Sequence, residues 1–554
     1  MSRSNADRRK ARLLSGRDHP APATMQFPLR RSRIRALLSV LFVPAVLSTQ
    51  AQSDRIEILG VDKLVFDDSI APGAQRLLGN ARFRHADAIM TCDSAYIYED
   101  QSVKAFSRVT ISQGDTLRIT GHRLDYNGKD RRASMQGKGA MPGQARHDNS
   151  DVILTNPDIQ LTTDALVYDL RSRTAIYSNG GIIVSRKENN TLTSRRGLYM
   201  AGDRAFLFSD SVRLVHPERT IESDTLRYET ASGIARFFGP TKITQKDSSV
   251  VYCNEGWYDT RNDLARFGRG ARIVGREQEI NGDSILYDRK SGIGQAFGNV
   301  AIRDTTNDLL VRGDRAWYDE VRDKSIVTGH AEMVMLIGGD SLFLHGDSLH
   351  ATGDSTSGKR LIRAYHAVRF FKRDLQGACD SLVYAESDSV IHMFRSPVLW
   401  SGKDQITGDS VRIALRNGKA HRLFVRGNAF MASQADSIRY DQVTGSTLTG
   451  FFDDDELRTV VAEGNSRTVY FAKEMKDSVE RIMGMNTADC SRIDVAISSD
   501  TTGQAKVHTV TFITQPDAVL WPLSKAPLDE QLLPGFLWRG AERPARREAI
   551  FDRP

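Results

Sequence analysis

The body of this chain holds no apolar run of the roughly eighteen residues that a membrane-crossing helix requires, which excludes a helical membrane bundle. Cysteine is scarce, with four residues at positions 92, 253, 379 and 490 and no C-x-x-C or zinc-ligand spacing among them. No nucleophile elbow, phosphate loop or H-E-x-x-H is present, so neither a catalytic motif nor a cofactor motif is found. His345, Asp347 and His350 come nearest to a metal set, yet Asp347 is a repeat position and His350 stands one residue short of a recurring tyrosine slot. Excess positive charge is missing from the body as well. The net charge is +7, but residues 1–51 carry ten Arg or Lys against Asp7 and Asp18, which leaves the rest near −1. Aromatics make up 8% and have no companion basic patch, so nothing favours a nucleic-acid partner.

With 40% hydrophobic and 26% charged residues, the chain has the composition of an ordered, water-soluble protein. Residues 1–51 read as an N-terminal extension and export signal. Arg30, Arg31, Arg33 and Arg35 form a basic region, Ala36 to Ser48 an apolar one, and Thr49-Gln50-Ala51 a small-x-small cleavage site. Met25 competes with Met1 as the true start. The apolar stretch is short for an uncleaved anchor.

The main signal is a repeat. In Gly282 to Ile302, the segment Gly-Asp-Ser-Ile-Leu-Tyr is followed by the turn-forming Asp288 to Gly292 and then by Ala296-Phe-Gly-Asn-Val-Ala-Ile302. At a period of two, Asp283, Ile285 and Tyr287 fall on one face of a first strand, and Ala296, Gly298, Val300 and Ile302 on one face of a second. This two-strand unit recurs about thirteen times at a spacing near 30 residues through 52–470. Cys92, Cys253 and Cys379 each precede the Asp or Asn of the first strand, the slot held elsewhere by Gly282, Gly313, Gly346 and Gly408, and so read as small residues in a tight place. The period fades over 471–540, a β and Pro-rich cap, and 541–554 reads as a disordered basic tail. A hairpin with one apolar face cannot bury that face alone, so the units must stack into an elongated, all-β array of antiparallel strands.

Tandem D-x-[L/A]-x-Y and A-x-G-x-V-x-I units in an exported chain resemble the OstA-like family. That family comprises the periplasmic lipopolysaccharide-transport bridge proteins and the N-terminal domain of the outer-membrane lipopolysaccharide assembly protein. The pattern covers residues 54 to about 470, and the segment from Gln515-Pro516-Asp517-Ala518 to Pro534-Gly535-Phe536-Leu537-Trp538 resembles the end of long members. The resemblance implies a β-jellyroll, or "β-taco", whose apolar groove shields acyl chains of lipopolysaccharide or a similar acylated glycolipid. It also implies a periplasmic location, with association to the outer membrane, and partners among inner- and outer-membrane lipopolysaccharide-transport proteins joined by edge-strand pairing. This chain departs from the short bridge proteins in its length.

On that basis Leu226, Tyr228, Phe237, Ile285, Tyr287, Phe297, Val300 and Ile302 are the candidates for the lipid groove. The same periodicity fits a core packed only on itself. The first strand, with Ile56, Ile58, Val61, Leu64 and Phe66, is the candidate partner edge. The recurring Asp residues occur in most units, which fits a corner role better than a catalytic pair. Two other readings stay open: a closed-core structural or adhesive surface protein, and a β-solenoid polysaccharide-active enzyme, which would need one carboxylate or basic cluster on a lateral face.

Overall fold

Turn residues punctuate the chain as the repeat requires. After the strand Gln278–Asp288, the Asp288 carboxylate accepts the N–H groups of Lys290 (3.0 Å) and Ser291 (3.3 Å), Gly292 takes φ +69°, and the strand Ile293–Asp304 runs back. Asp259 makes the same turn with Arg261 and Asn262, at 3.0 Å each. The computed structural model describes residues 55–553 apart from 67–68, 70–71, 140–151, 188, 307, 338, 354–358, 454–455, 477–478 and 500–504. The export signal expected over 1–51 lies outside the described residues, and all the described strands belong to the unit Ser53–Pro554.

That unit is an elongated antiparallel sheet in which each hairpin pairs with the next. Every long strand bends near its middle. In Ile293–Asp304 the bend is Gly298 (φ +69°) and Asn299 (φ +48°), and pairing with the flanking strands skips there. Consecutive left-handed residues recur at Gly79-Asn80, Ser107-Arg108, Asp210-Ser211, Gly329-His330 and Gly427-Asn428. The aligned bends form a crease that folds the sheet into two facing limbs. The first limb contains segments such as 284–288 and 293–297, and the second contains 278–282 and 300–304.

The motif Asp is the clamp of this crease. Asn299 donates to Asp283 at 3.0 and 3.2 Å, Asn80 to Asp62 at 2.9 Å, Asn428 to Asp409 at 3.0 Å, and Arg108 to Asp93 at 2.8 Å. The crease also changes which residues share a face. On Gln278–Asp288, Gly282 and Ile285 are both buried although three apart, so Asp283 points outward while Ile285 and Tyr287 point inward. The simple alternation, which put Asp283 on the face of Ile285, fails because the bend inserts one residue. The residue before the clamp lies inside the crease and must be small. Cys92, Cys253 and Cys379 are free, buried thiols in that place.

The inner faces of the limbs meet in one apolar core from Leu77 to Ile497. The sheet does not close into a barrel. Among the described residues, Glu57–Gly60 and Lys63–Phe66 pair only with Ala74–His85, and Ala505–Ile513 and Asp517–Pro522 only with Val479–Ser499.

From Leu523 the chain turns back across the outer face of the second limb. The side chains beneath it are one buried polar group per step: Gln442, Gln405, Gln376 and Glu332, each 1–2% exposed. Leu533 N–H donates to Gln442 (2.8 Å), Arg539 N–H to Gln405 (2.7 Å) and the Arg543 guanidinium to Gln376 (2.8 Å). Arg547 grips Glu332 with two bonds of 2.7 Å, and Arg553 reaches Asp347 at 3.1 Å. The basic segment from Ala541 is therefore a docked strap and not the disordered tail expected, because its arginines meet buried acceptors 167 to 215 residues upstream. Leu533, Trp521, Phe536 and Trp538 pack with Phe430, Val469 and Phe471, so the Pro-rich cap lies on the wall's outer face.

Candidate functional site

The motif tyrosine forms a row along the inner tip of the first limb. Tyr126 stands opposite Ala133, Tyr168 opposite Ala175, Tyr228 opposite Ala235, Tyr258 opposite Ala265, Tyr287 opposite Gly294 and Tyr318 opposite Ser325. A small cross-strand neighbour leaves each ring room to lie over it. The row therefore carries a phenol about every 30 residues at the mouth between the limbs.

Through the first half of the sheet those phenols tie the two limbs together. Tyr126 shares a 2.6 Å hydrogen bond with His85 Nδ1, Tyr168 donates to the Gln113 side chain, and Tyr199 accepts from Asn156 at 2.8 Å. In each case the partner sits at the tip of the opposite limb. Burial pushes the Tyr126 and Tyr168 hydroxyls well above the ordinary phenol range, so they stay protonated. Further on, Arg219 of the second limb bonds Asp263 of the first at 3.0 Å and lies 4.2 Å from the centroid of the Tyr258 ring. Burial lowers the Arg219 pKa against the pull of Asp263. Asp304 and Arg360 make a later crossing at 2.5 Å.

Between the Arg219–Asp263 and Asp304–Arg360 crossings, no cross-limb side-chain hydrogen bond is found among the described residues. Glu218 and Arg289 approach only to 4.0 Å, and Tyr287 donates to Glu320 of its own limb at 2.8 Å. Here the limbs enclose a cavity of about 420 Å³. Its floor is apolar, with Ile243, Val251, Phe267, Ile273, Ile280 and Ile302. Its rim lies at the limb tips and is polar, with Gln245, Asp247, Gln278, Tyr287, Arg289 and Glu320. Spaces of about 70 and 50 Å³ continue along the interior, the first sharing Ile280, Ile302 and Tyr318 with the larger cavity. An apolar floor under a polar rim suits an amphiphile whose chain is buried and whose head stays in water.

The groove candidates separate accordingly. Ile285, Tyr287 and Ile302 line the cavity. Leu226, Phe237 and Val300 are buried among side chains of the common core, and Tyr228 lies against a separate small space with Phe206 and Phe208. Phe297 follows buried Ala296 by one residue and so faces outward, 38% exposed. Arg219, Gln245, Gln278 and Glu320 belong to the rim and were not singled out from sequence. Their only local signal is that they stand at strand ends or in turns beside the repeat.

At the proposed partner edge, Ile56, Ile58 and Val61 pack against the core, while Leu64 (43%) and Phe66 (68%) are exposed. Ile56 N–H is held by Gln101 across the limbs at 2.7 Å. The other side of this strand is unpaired among the described residues. His345 Nδ1 meets the Ala331 carbonyl at 2.8 Å and its ring packs on Phe551, and among the described residues no group of three or more His, Cys, Asp or Glu is placed to hold a metal. No helix among them is long and apolar enough to cross a membrane.

A family model described as OstA-like protein matches residues 53–224. The matched span covers the tyrosine-tied hairpins and stops where the cavity section begins, while the later repeats carry the same crease and clamp. A comparison with curated proteins gave no match.

Proposed function

We propose that this chain is a non-enzymatic, periplasmic lipid carrier of the OstA type. It shields acyl chains of lipopolysaccharide or a similar acylated glycolipid during transport to, or assembly of, the outer membrane. The observation that carries this reading is the 420 Å³ apolar cavity with its polar rim, set in a stretch where the limbs are not tied. The OstA-like match over 53–224 and the open-ended, creased antiparallel sheet support it. The unpaired edge at Glu57–Phe66 offers backbone donors and acceptors to a partner strand, through which other lipopolysaccharide-transport proteins would join. Exposed Leu64 and Phe66 would add apolar contact to that junction.

A second reading, a closed structural repeat protein, draws support from one observation. Between His85 and Tyr199 the mouth is tied and the interior filled. Purification of the full chain from cell envelopes, followed by mass spectrometry of its extracted lipids, separates the two. Stoichiometric acylated glycolipid is expected; a chain that never retains or crosslinks an acylated lipid is a structural protein.

A further inference from the structure

The interior changes character along the sheet for a reason visible in single rows of side chains. Deep in the first limb, one continuous cross-strand row runs Phe208, Leu226, Phe237, Gly256, Phe267, Ile285, Ala296 and Ala316. Phe208, Leu226 and Phe237 are at most 1% exposed and fill the space under the tied mouth. Ala296 and Ala316 fill far less, and in the row nearer the tip the small partner of the motif tyrosine shrinks from Ala235 opposite Tyr228 and Ala265 opposite Tyr258 to Gly294 opposite Tyr287. Ala296, Ala316 and Gly294 fall together in the section in which the cross-limb bonds stop. The void and the unlatched mouth thus coincide at 243–320.

We propose that an acyl chain enters and leaves this protein sideways, through the window between the tips at 245–249 and 275–278 on the second limb and 287–289 and 318–320 on the first. The interior N-terminal to Arg219 is then a shut spacer and not a conduit. This inference rests on the carrier reading above and restricts it. A lipid cannot slide lengthwise past Tyr126, Tyr168 and Tyr199 unless three buried cross-limb bonds break together with the packing beneath them. At the window nothing comparable must break, since Tyr287 already bonds within its own limb. Volume sets the cargo. About 420 Å³ is at the low end of the ~300–1,000 Å³ range of small-ligand pockets, so the cavity takes one acyl chain at a time and leaves a multi-chain headgroup outside. Asp247, Arg289 and Glu320 at the rim put both signs of charge where such a headgroup would rest.

The test uses the full chain and palmitic acid carrying a diazirine at the end of its alkyl chain, irradiated and mapped by peptide mass spectrometry. Saturable label is expected in peptides spanning Ile273–Ile285 and Ala296–Ile302, at least tenfold above that in peptides spanning Ile111–Leu124. Gly294→Leu tests the cavity itself. Gly294 lines it, has an ordinary φ, and a Cβ there would meet only the Tyr287 ring at 3.7 Å, so the larger side chain fills the void with no backbone strain. It is expected to cut the window label at least tenfold with an unchanged circular dichroism spectrum. The double variant Gln113→Ala, Tyr168→Phe is expected to let label extend into Ile111–Leu124. Equal label in both regions of the unsubstituted protein overturns the sideways route and leaves the carrier reading standing, as does window label untouched by Gly294→Leu. Label confined to the window in the double variant overturns the role given to the tyrosine ties. Absence of saturable label anywhere removes the carrier reading, and this inference with it.

Discussion

Tyr168 donates its hydroxyl to the side chain of Gln113, 55 residues upstream and on the opposite limb of the folded sheet. Gln113 in turn donates to Asp87 (2.9 Å) and to the Leu170 carbonyl (3.0 Å), so one buried amide joins two limb tips and a turn. This knot and its relatives at His85–Tyr126 and Asn156–Tyr199 separate a filled section of the interior from a hollow one. The motif tyrosine, identical from unit to unit, closes the mouth where the opposite tip supplies a partner and leaves it open where the tip does not.

Tyr168→Phe removes that donor while keeping the ring. The Gln113 oxygen is left buried without the phenol, so a loss of about 1–3 kcal/mol is expected from the unsatisfied acceptor. Tyr287→Phe should cost less than about 0.5 kcal/mol, because its partner Glu320 is exposed and rehydrates. Urea unfolding of the two variants, at unchanged m value, checks the ordering. Equal costs would mean that the tie contributes nothing.

Gly298 has φ +69°, and a Cβ on it would overlap the Asp283 carboxylate. Gly298→Ala is therefore expected to destabilise by ~1–2 kcal/mol for the left-handed backbone alone, with more for the clash. Gly294→Ala, four residues away in the same strand with an ordinary φ, should be close to neutral. Combining Gly298→Ala with Asp283→Ala should recover the clash component but not the backbone one. A double-mutant cycle read by thermal denaturation gives that interaction energy directly.

The period, the strand type and the crease itself were legible in sequence, because Gly298-Asn299 and the Asp283 that clamps it are local signals repeated with the unit. What escaped was contact between residues far apart in the chain. Phe297 is a groove candidate that the strand period itself turns outward, since it stands one residue from buried Ala296 and three from buried Val300. The ties at Tyr126, Tyr168 and Tyr199 depend on which tip faces which after the limbs fold over. The arginines of the strap looked like a solvated tail because their acceptors, Glu332 and Gln376, lie 215 and 167 residues away.

Burial raises the Cys253 and Cys379 thiols to about 12 and Cys92 to about 11, whereas Cys490 is only partly buried. Thiolate is the reacting form, so at pH 8 the three crease cysteines should react with a maleimide or a disulfide reagent on the order of a hundredfold more slowly than an exposed thiol. One fast equivalent, mapped to Cys490, is expected in the native protein, and four after denaturation. Fast modification of Cys253 in the native state would mean that the crease opens.

Burial works against the charge on Glu332, yet bonds from Arg547 and Arg312 outweigh it and hold the carboxyl below its ordinary value. A depressed carboxylate contributes stability above its unfolded pKa of 4.5 and loses it as pH falls through the folded value. The strap should consequently loosen in acid. Arg547→Ala should loosen it at neutral pH as well, at a cost of about 1–3 kcal/mol, since Arg547 is partly exposed and Arg312 remains. Limited proteolysis within 528–537, where Leu528 is 84% exposed, reports the release.

Asp404 beneath the strap titrates in the opposite sense. Burial raises it to about 6, although Ser433 bonds it and the charges of Arg543 and Lys403 pull the other way; Asp441, also about 6, lies near enough to feel its charge. A carboxyl whose folded pKa exceeds the unfolded 3.8 binds more protons when folded, so stability falls as pH rises from about 4 to about 6 and is then flat. Asp404→Asn keeps the shape and removes the charge. It should therefore stabilise the protein at pH 7.5 by about 1–3 kcal/mol, and the gain should shrink steeply as pH falls from about 6 to about 4 and vanish only well below the unfolded pKa of 3.8, where Asp404 is neutral in both states. Thermal denaturation of the two proteins at pH 4.0, 6.0 and 7.5 checks it. A variant less stable than the parent at pH 7.5 would mean that the ionised carboxylate is held by Arg543 strongly enough to offset its burial.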